Sequence, residues 1–124
     1  MDVRMDAEIC GVGELAAQFF EEGIVILFGE HAPEELAEFA VLHRCHHVNG
    51  GVAPGDRVLL GDAELTVTGV GSVVNDHLPA LGHLVLKRDG RSEPQLPGDL
   101  CCDEGAIPDL AVGMPLRILG PEGS

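Results

Sequence analysis

Asp56-Arg57-Val58-Leu59-Leu60-Gly61-Asp62-Ala63-Glu64-Leu65-Thr66-Val67-Thr68-Gly69-Val70 holds two short apolar runs with a Gly-Asp pair between them. Runs of this length joined by Gly-X predict a tight β-hairpin, with arms from Asp56 to Leu60 and from Ala63 to Val70. The same punctuation extends on both sides. Asn49-Gly50-Gly51, Pro54-Gly55, Asp89-Gly90 and Pro97-Gly98 are turn signals at short intervals. Strand-like runs lie at His83 to Arg88, Asp99 to Cys102 and Pro115 to Leu119, with Asp89-Gly90 as a second hairpin joint.

Toward the N-terminus, Val3, Met5, Ala7 and Ile9 alternate with Asp2, Arg4, Asp6 and Glu8, the pattern of a half-buried strand that Gly11 and Gly13 interrupt. Glu14 to Glu22 reads as a short helix or an ordered loop, and Ile24 to Phe28 as a second strand. Pro33 opens a two-turn helix signal over residues 32–39, with acids in its first turn and Leu36 and Phe39 three apart. That helix leads into Ala40-Val41-Leu42, an apolar run with His43 at its end. The expectation is mostly β: a compact barrel or folded-over mixed or antiparallel sheet with one or two short helices. Residues 1–120 form a single domain and residues 121–124 a frayed tail.

Composition narrows the function. The chain has 124 residues, of which 45% are hydrophobic, but neither Trp nor Tyr, so the core must be aliphatic and stacking platforms for bases or sugars are disfavoured. A chain of this mass folds to an exposed surface of roughly 6,300 Å², enough to bury a real core. Seven basic against twenty-one acidic side chains leave a net charge of −14, which would repel a nucleic-acid backbone or an anionic membrane surface. No window is long and apolar enough to span a membrane, and Asp2, Asp6 and Glu8 occupy the place of a secretory signal's basic start. The expected location is cytoplasmic. Cys10, Cys45, Cys101 and Cys102 do not resemble a disulfide framework and read as reduced thiols.

Three of six histidines, His43, His46 and His47, fall within five residues around Arg44 and Cys45. One reading is a zinc or copper module built on His43-Cys45-His46-His47, closed by Cys101, Cys102 or His83, although the spacing matches no standard motif. The other is nucleophilic: near neutral pH an imidazole is mostly unprotonated and attacks a phosphoryl group with little activation. Such a site needs rigid support, which a strand ending at His43 supplies, and a second group to fix the tautomer, for which His83 is the candidate. Gly69-Val70-Gly71-Ser72 lacks the Gly-Lys-Ser/Thr and the long helix of a nucleotide loop, and reads as a bend between strands. Glu34, Glu35 and Glu38 read as a solvated helix face, and no Ser-His-Asp triad is spelled out.

Phe28-Gly29-Glu30-His31-Ala32-Pro33, Val41-Leu42-His43, Pro54-Gly55, Val70-Gly71-Ser72-Val73 with Asp76 and Leu78, Leu81-Gly82-His83, Asp89-Gly90 and Pro97-Gly98 occur in order over nearly the whole chain. Together they resemble the glucitol/sorbitol-specific IIA component of the phosphoenolpyruvate-dependent sugar phosphotransferase system. The resemblance implies a small β domain that takes a phosphoryl group from the histidine-containing phosphocarrier protein. The group then passes to a cysteine of the IIB component, which phosphorylates the polyol as it enters through the membrane IIC component. It places the phosphohistidine at His43 and a second family histidine at His83, and it implies no cofactor. Arg44 is the candidate for holding phosphoryl oxygens, while Cys45, His46 and His47 depart from the family pattern and receive no role.

Overall fold

The computed structural model describes residues 3–49 and 51–120. Among these residues, eight strands and three short helices follow in the order β1 (Val3–Val12), α1 (Ala16–Phe20), β2 (Ile24–Gly29), α2 (Glu34–Ala37), β3 (Ala40–Val48), β4 (Arg57–Leu60), β5 (Ala63–Val70), α3 (Val74–Leu81), β6 (Leu84–Lys87), β7 (Asp99–Cys102) and β8 (Pro115–Leu119). The strands close into a barrel in the spatial order β1-β3-β2-β6-β7-β5-β4-β8. Closure leaves no unpaired sheet edge, which a β protein must otherwise shield. The expected tail at residues 121–124 and the Gly50 part of the Asn49-Gly50-Gly51 turn lie outside the described residues.

The alternation of the first segment has the expected consequence. Met5, Ala7 and Ile9 are buried in the barrel, in one core with Val58, Leu60, Leu65, Val67 and, from the neighbouring strand β8, Leu116 and Ile118. Each such side chain contributes about 1.5–3 kcal/mol by leaving water, so an interior without tyrosine or tryptophan is sufficient. The folded chain exposes 6341 Å², the value expected for its mass. No helix among the described residues is long and apolar enough to cross a membrane.

The hairpin holds as expected: β4 and β5 are antiparallel, with Leu60 opposite Ala63 across Gly61-Asp62. Other expectations need correction. Asp89-Gly90 does not join a hairpin, because β6 and β7 run parallel, Leu86 opposite Leu100, and residues 88–98 must carry the chain back to the same end of the barrel. A second parallel pair, β2 with β3, is connected through α2. That helix is a single turn with Pro33 as its cap rather than its first residue, since Ala40 already belongs to β3. β1 continues through Gly11 to Val12 by a register shift at Cys10. β3 does not end at His43 but runs on to Val48, pairing its polar half with Met5, Asp6, Ala7 and Glu8 of β1.

A short helix, the eight-residue α3, opens after Gly71-Ser72, not the long helix of a nucleotide loop. Valine, Asn75, Asp76 and Pro79 are poor helix formers, so local propensity conceals α3. Tertiary contacts favour it instead: Val74 and Leu78, four apart, are both buried, and Asn75 both accepts from the Val52 main-chain nitrogen (2.9 Å) and donates to the Val52 oxygen (3.0 Å). Gly71 is not a simple bend either. A side chain there would strike the main chain at Leu96 and Pro97, so glycine admits the crossing segment.

Candidate functional site

His43 sits in the middle of β3, opposite Ile9 on β1 and Gly29 on β2, with strands on both flanks holding its main chain. Val41 and His43 share the inward side of the strand, and His43 is only 1% exposed. It forms part of the wall of a pocket of about 310 Å³, between the end of β2 and the C-terminal end of α3. Phe28, Val48, Leu78 and Pro79 supply apolar surface there, and Glu30 and His31 stand on the polar side.

The ring is held by α3. Gly82 ends that helix in the left-handed conformation, φ +66°, and its N–H bonds the Leu78 carbonyl at 2.9 Å, a common glycine stop. This turn aims the Gly82 carbonyl at the imidazole, and His43 Nε2 lies 2.7 Å from that oxygen. A carbonyl oxygen carries no proton, so Nε2–H is the donor and the lone pair resides on Nδ1. Nδ1 is buried and, among the described residues, has no hydrogen-bond partner. Burial lowers the His43 pKa from its usual 6.5, outweighing the opposite pulls of the Gly82 carbonyl and of Glu30. The neutral, nucleophilic form is therefore favoured at pH 7.

The group that orients His43 is thus a main-chain carbonyl one residue before the expected His83. His83 donates from Nδ1 to the Leu27 carbonyl at 3.0 Å, and its ring rests against Phe28 with centroids 4.7 Å apart. His77 lies beyond, at 6.4 Å from His83. His83 therefore ties the chain just after Gly82 to β2, the strand that carries Phe28 and Gly29 to the pocket.

Arg44, the next residue on β3, points to the opposite face. Its Nε donates to Glu30 Oε2 at 3.0 Å, and the guanidinium is about half exposed. His31 Nε2 is 3.8 Å from the other oxygen of the same carboxylate, with its ring almost wholly in solvent. Cys45 returns to the pocket side; its thiol donates to the His47 carbonyl at 3.3 Å, and burial raises its pKa. His46 and His47 are exposed. Strand geometry separates what the sequence places side by side, and among the described residues no three His, Cys, Asp or Glu side chains are grouped to hold a metal ion. The metal module expected from His43-Cys45-His46-His47 is not assembled.

All four cysteines are free. Cys101 and Cys102 are buried in β7, where desolvation pushes their pKa values to about 11 and about 12, and neither belongs to the pocket. Sequence reading missed Gly82 and Glu30 as parts of the site. Gly82 had a signal in Leu81-Gly82, a helix stop, but only once α3 itself is recognised.

The comparisons agree with this architecture. The family described as PTS system glucitol/sorbitol-specific IIA component matches residues 4–117. Two relatives, the glucitol/sorbitol-specific EIIA components of Shigella flexneri and of Escherichia coli (strain K12), are each 36% identical over 119 residues, covering 94% of this chain and 95% of theirs. The crystal structure of a PTS system IIA component from Enterococcus faecalis V583 superimposes with a TM-score of 0.81 at 27% identity, covering 94% of this chain and 100% of the other. A closed aliphatic β-barrel with a supported histidine, matched over nearly its whole length, belongs to the glucitol/sorbitol-specific IIA component family of the sugar phosphotransferase system.

Proposed function

We propose that the protein is a cytoplasmic phosphocarrier in which His43 takes a phosphoryl group from the histidine-containing phosphocarrier protein. His43 then passes it to a cysteine of the IIB component, which with the membrane IIC component serves glucitol/sorbitol uptake. The observation that carries the reading is the state of His43: a buried imidazole, biased to its neutral form, held at Nε2 by the Gly82 carbonyl and with an unpartnered lone pair on Nδ1. A nucleophile needs that lone pair and a fixed ring; a merely structural buried histidine has both nitrogens satisfied.

In the transfer, the imidazole lone pair forms a bond to phosphorus as the bond from phosphorus to the donor imidazole breaks, and that electron pair returns to the donor ring. The ring proton on each histidine stays where it is, so no separate acid or base is required. Both rings are good leaving groups, and positioning dominates the barrier. Because His43 is almost fully covered, docking of the donor must open the pocket wall on the Nδ1 side of the ring while the Gly82 carbonyl keeps its hold on Nε2. Arg44 supplies a guanidinium for the phosphoryl oxygens. His83 acts through the main chain as a positioning residue, anchoring the Gly82 turn to Leu27.

Incubation with the phosphorylated carrier tests the assignment. The expected product is one acid-labile, base-stable phosphate per chain, absent from His43→Ala; label retained by that variant would end the reading.

A further inference from the structure

Glu30 has an arrangement that the transfer chemistry described above does not use. Its carboxylate lines the His43 pocket, yet one oxygen is 3.0 Å from Arg44 Nε and the other 3.8 Å from His31 Nε2. Arg44 and His31 are therefore both drawn to a single acid of the pocket lining. Glu30 follows Gly29, the last residue of β2, which pairs directly with His43, so the carboxylate is carried one residue beyond the position opposite the imidazole. Arg44 leaves β3 on the face away from the ring and reaches the pocket rim only at this acid.

Resting on the reading of His43 as the acceptor, we infer that Glu30 is a positioning residue that holds Arg44 while the site is empty of phosphate and yields it to the phosphoryl group once His43 carries one. A phosphoryl group brings close to two negative charges to the pocket. Glu30 then faces a like charge, while the guanidinium fork gains a partner with more charge and more acceptor oxygens than a carboxylate. The hand-over has two opposing effects on the phosphorylated state. Carboxylate repulsion raises its free energy, and the arriving arginine lowers it. Glu30 thereby keeps the bound group ready to leave, as a carrier requires, because it competes with that group for Arg44.

The test is the equilibrium distribution of labelled phosphoryl between the phosphocarrier and this protein, measured with the full chain. Glu30→Gln removes the repulsion and frees Arg44, so the distribution should move toward this protein on the order of tenfold, with slower onward transfer to IIB. Glu30→Asp should restore most of the wild-type distribution. Arg44→Ala should move it the other way, toward the carrier, and should shrink the Glu30→Gln effect when the two are combined. Should Glu30→Gln fail to fold, Arg44→Ala and Arg44→Lys still read the arginine half, the lysine variant giving an intermediate shift.

An unchanged distribution in a folded, His43-labelled Glu30→Gln protein overturns the inference, as does an undiminished Glu30→Gln effect without Arg44. Label on His43→Ala overturns instead the underlying assignment of the acceptor. Loss of fold alone would not move an equilibrium distribution among the molecules that remain folded, so the readout separates positioning from general stability.

Discussion

The Gly82 carbonyl oxygen lies 2.7 Å from His43 Nε2, and the approach depends on Gly82 having no side chain. A Cβ built at Gly82 would fall 2.8 Å from His43 Cε1 and 2.9 Å from Nε2. The same glycine adopts the positive φ that stops α3. One residue therefore ends a helix, covers the reactive ring and sets its tautomer.

Gly82→Ala should be damaging in two ways. The left-handed backbone alone costs a residue with a Cβ about 1–2 kcal/mol, and the clash with the ring adds to it. A fall of several degrees in thermal midpoint, with phosphoryl acceptance reduced at least tenfold, is expected. A variant with wild-type melting and wild-type transfer would show that the contact has no role.

The lowered His43 pKa has a pH signature. Below about pH 6.5 the unfolded chain binds a proton at this position more readily than the folded one. The stability that His43 contributes is therefore complete above the unfolded value and declines as pH falls from about 6.5 toward the lower folded pKa. Denaturant midpoints of wild type and His43→Gln, compared between about pH 7.5 and 5, should converge on acidification. A difference that widens instead would mean the folded pKa is raised. Phosphoryl acceptance should likewise persist to lower pH than for a free imidazole.

The parallel pair β6–β7 contains a nearly buried ion pair, with Lys87 Nζ 2.8 Å from Asp99 Oδ2. The same oxygen accepts from the Leu96 main chain at 3.1 Å, tying down the end of the crossing segment. Asp99→Ala strands the lysine and a main-chain donor, and should cost about 3 kcal/mol in urea unfolding. Adding Lys87→Met should recover part of the loss. If the double variant is no better than the single one, the lysine charge is not the source of the cost.

Net charge of −14 also has a kinetic consequence if the donor presents basic residues around its histidine. Raising the salt from about 0.05 to 0.5 M shortens the screening length severalfold and should slow second-order transfer about tenfold. Stopped-flow or quench measurements with a fixed donor concentration read this directly. A rate independent of salt would assign the acidity to solubility alone.

How much of this could be read in advance depended on the range of the interaction. The β5 arm from Ala63 to Val70, β7 and β8 coincide with the expected runs, because alternation and flanking turns are written within a few neighbours. Asp89-Gly90 misled for the same reason: the chain bends there, with Gly90 at φ +69°, but a bend does not say whether the next strand comes back antiparallel or crosses over. α3 was hidden because its stability comes from Val74 and Leu78 in the core and from Asn75 on Val52, none of which is a local preference.

The site divides along the same line. His43 stood out through its apolar approach and the resemblance of the surrounding motifs, and the structure adds the strands on both of its flanks. Arg44, Cys45, His46 and His47 looked like one cluster because they are consecutive, but a pleated strand sends neighbours to opposite faces, so Arg44 meets Glu30 while Cys45 meets the pocket.

By itself, then, the sequence determined an acidic, aliphatic, strand-rich domain and pointed to His43, since composition and period-two patterning are properties of adjacent residues. Only the tertiary structure decided the barrel's strand order, its two parallel joints and the tautomer of His43. Each of those depends on residues far apart in the chain, and His43 and Gly82, thirty-nine positions apart, acquire their relationship only when α3 caps beside β3.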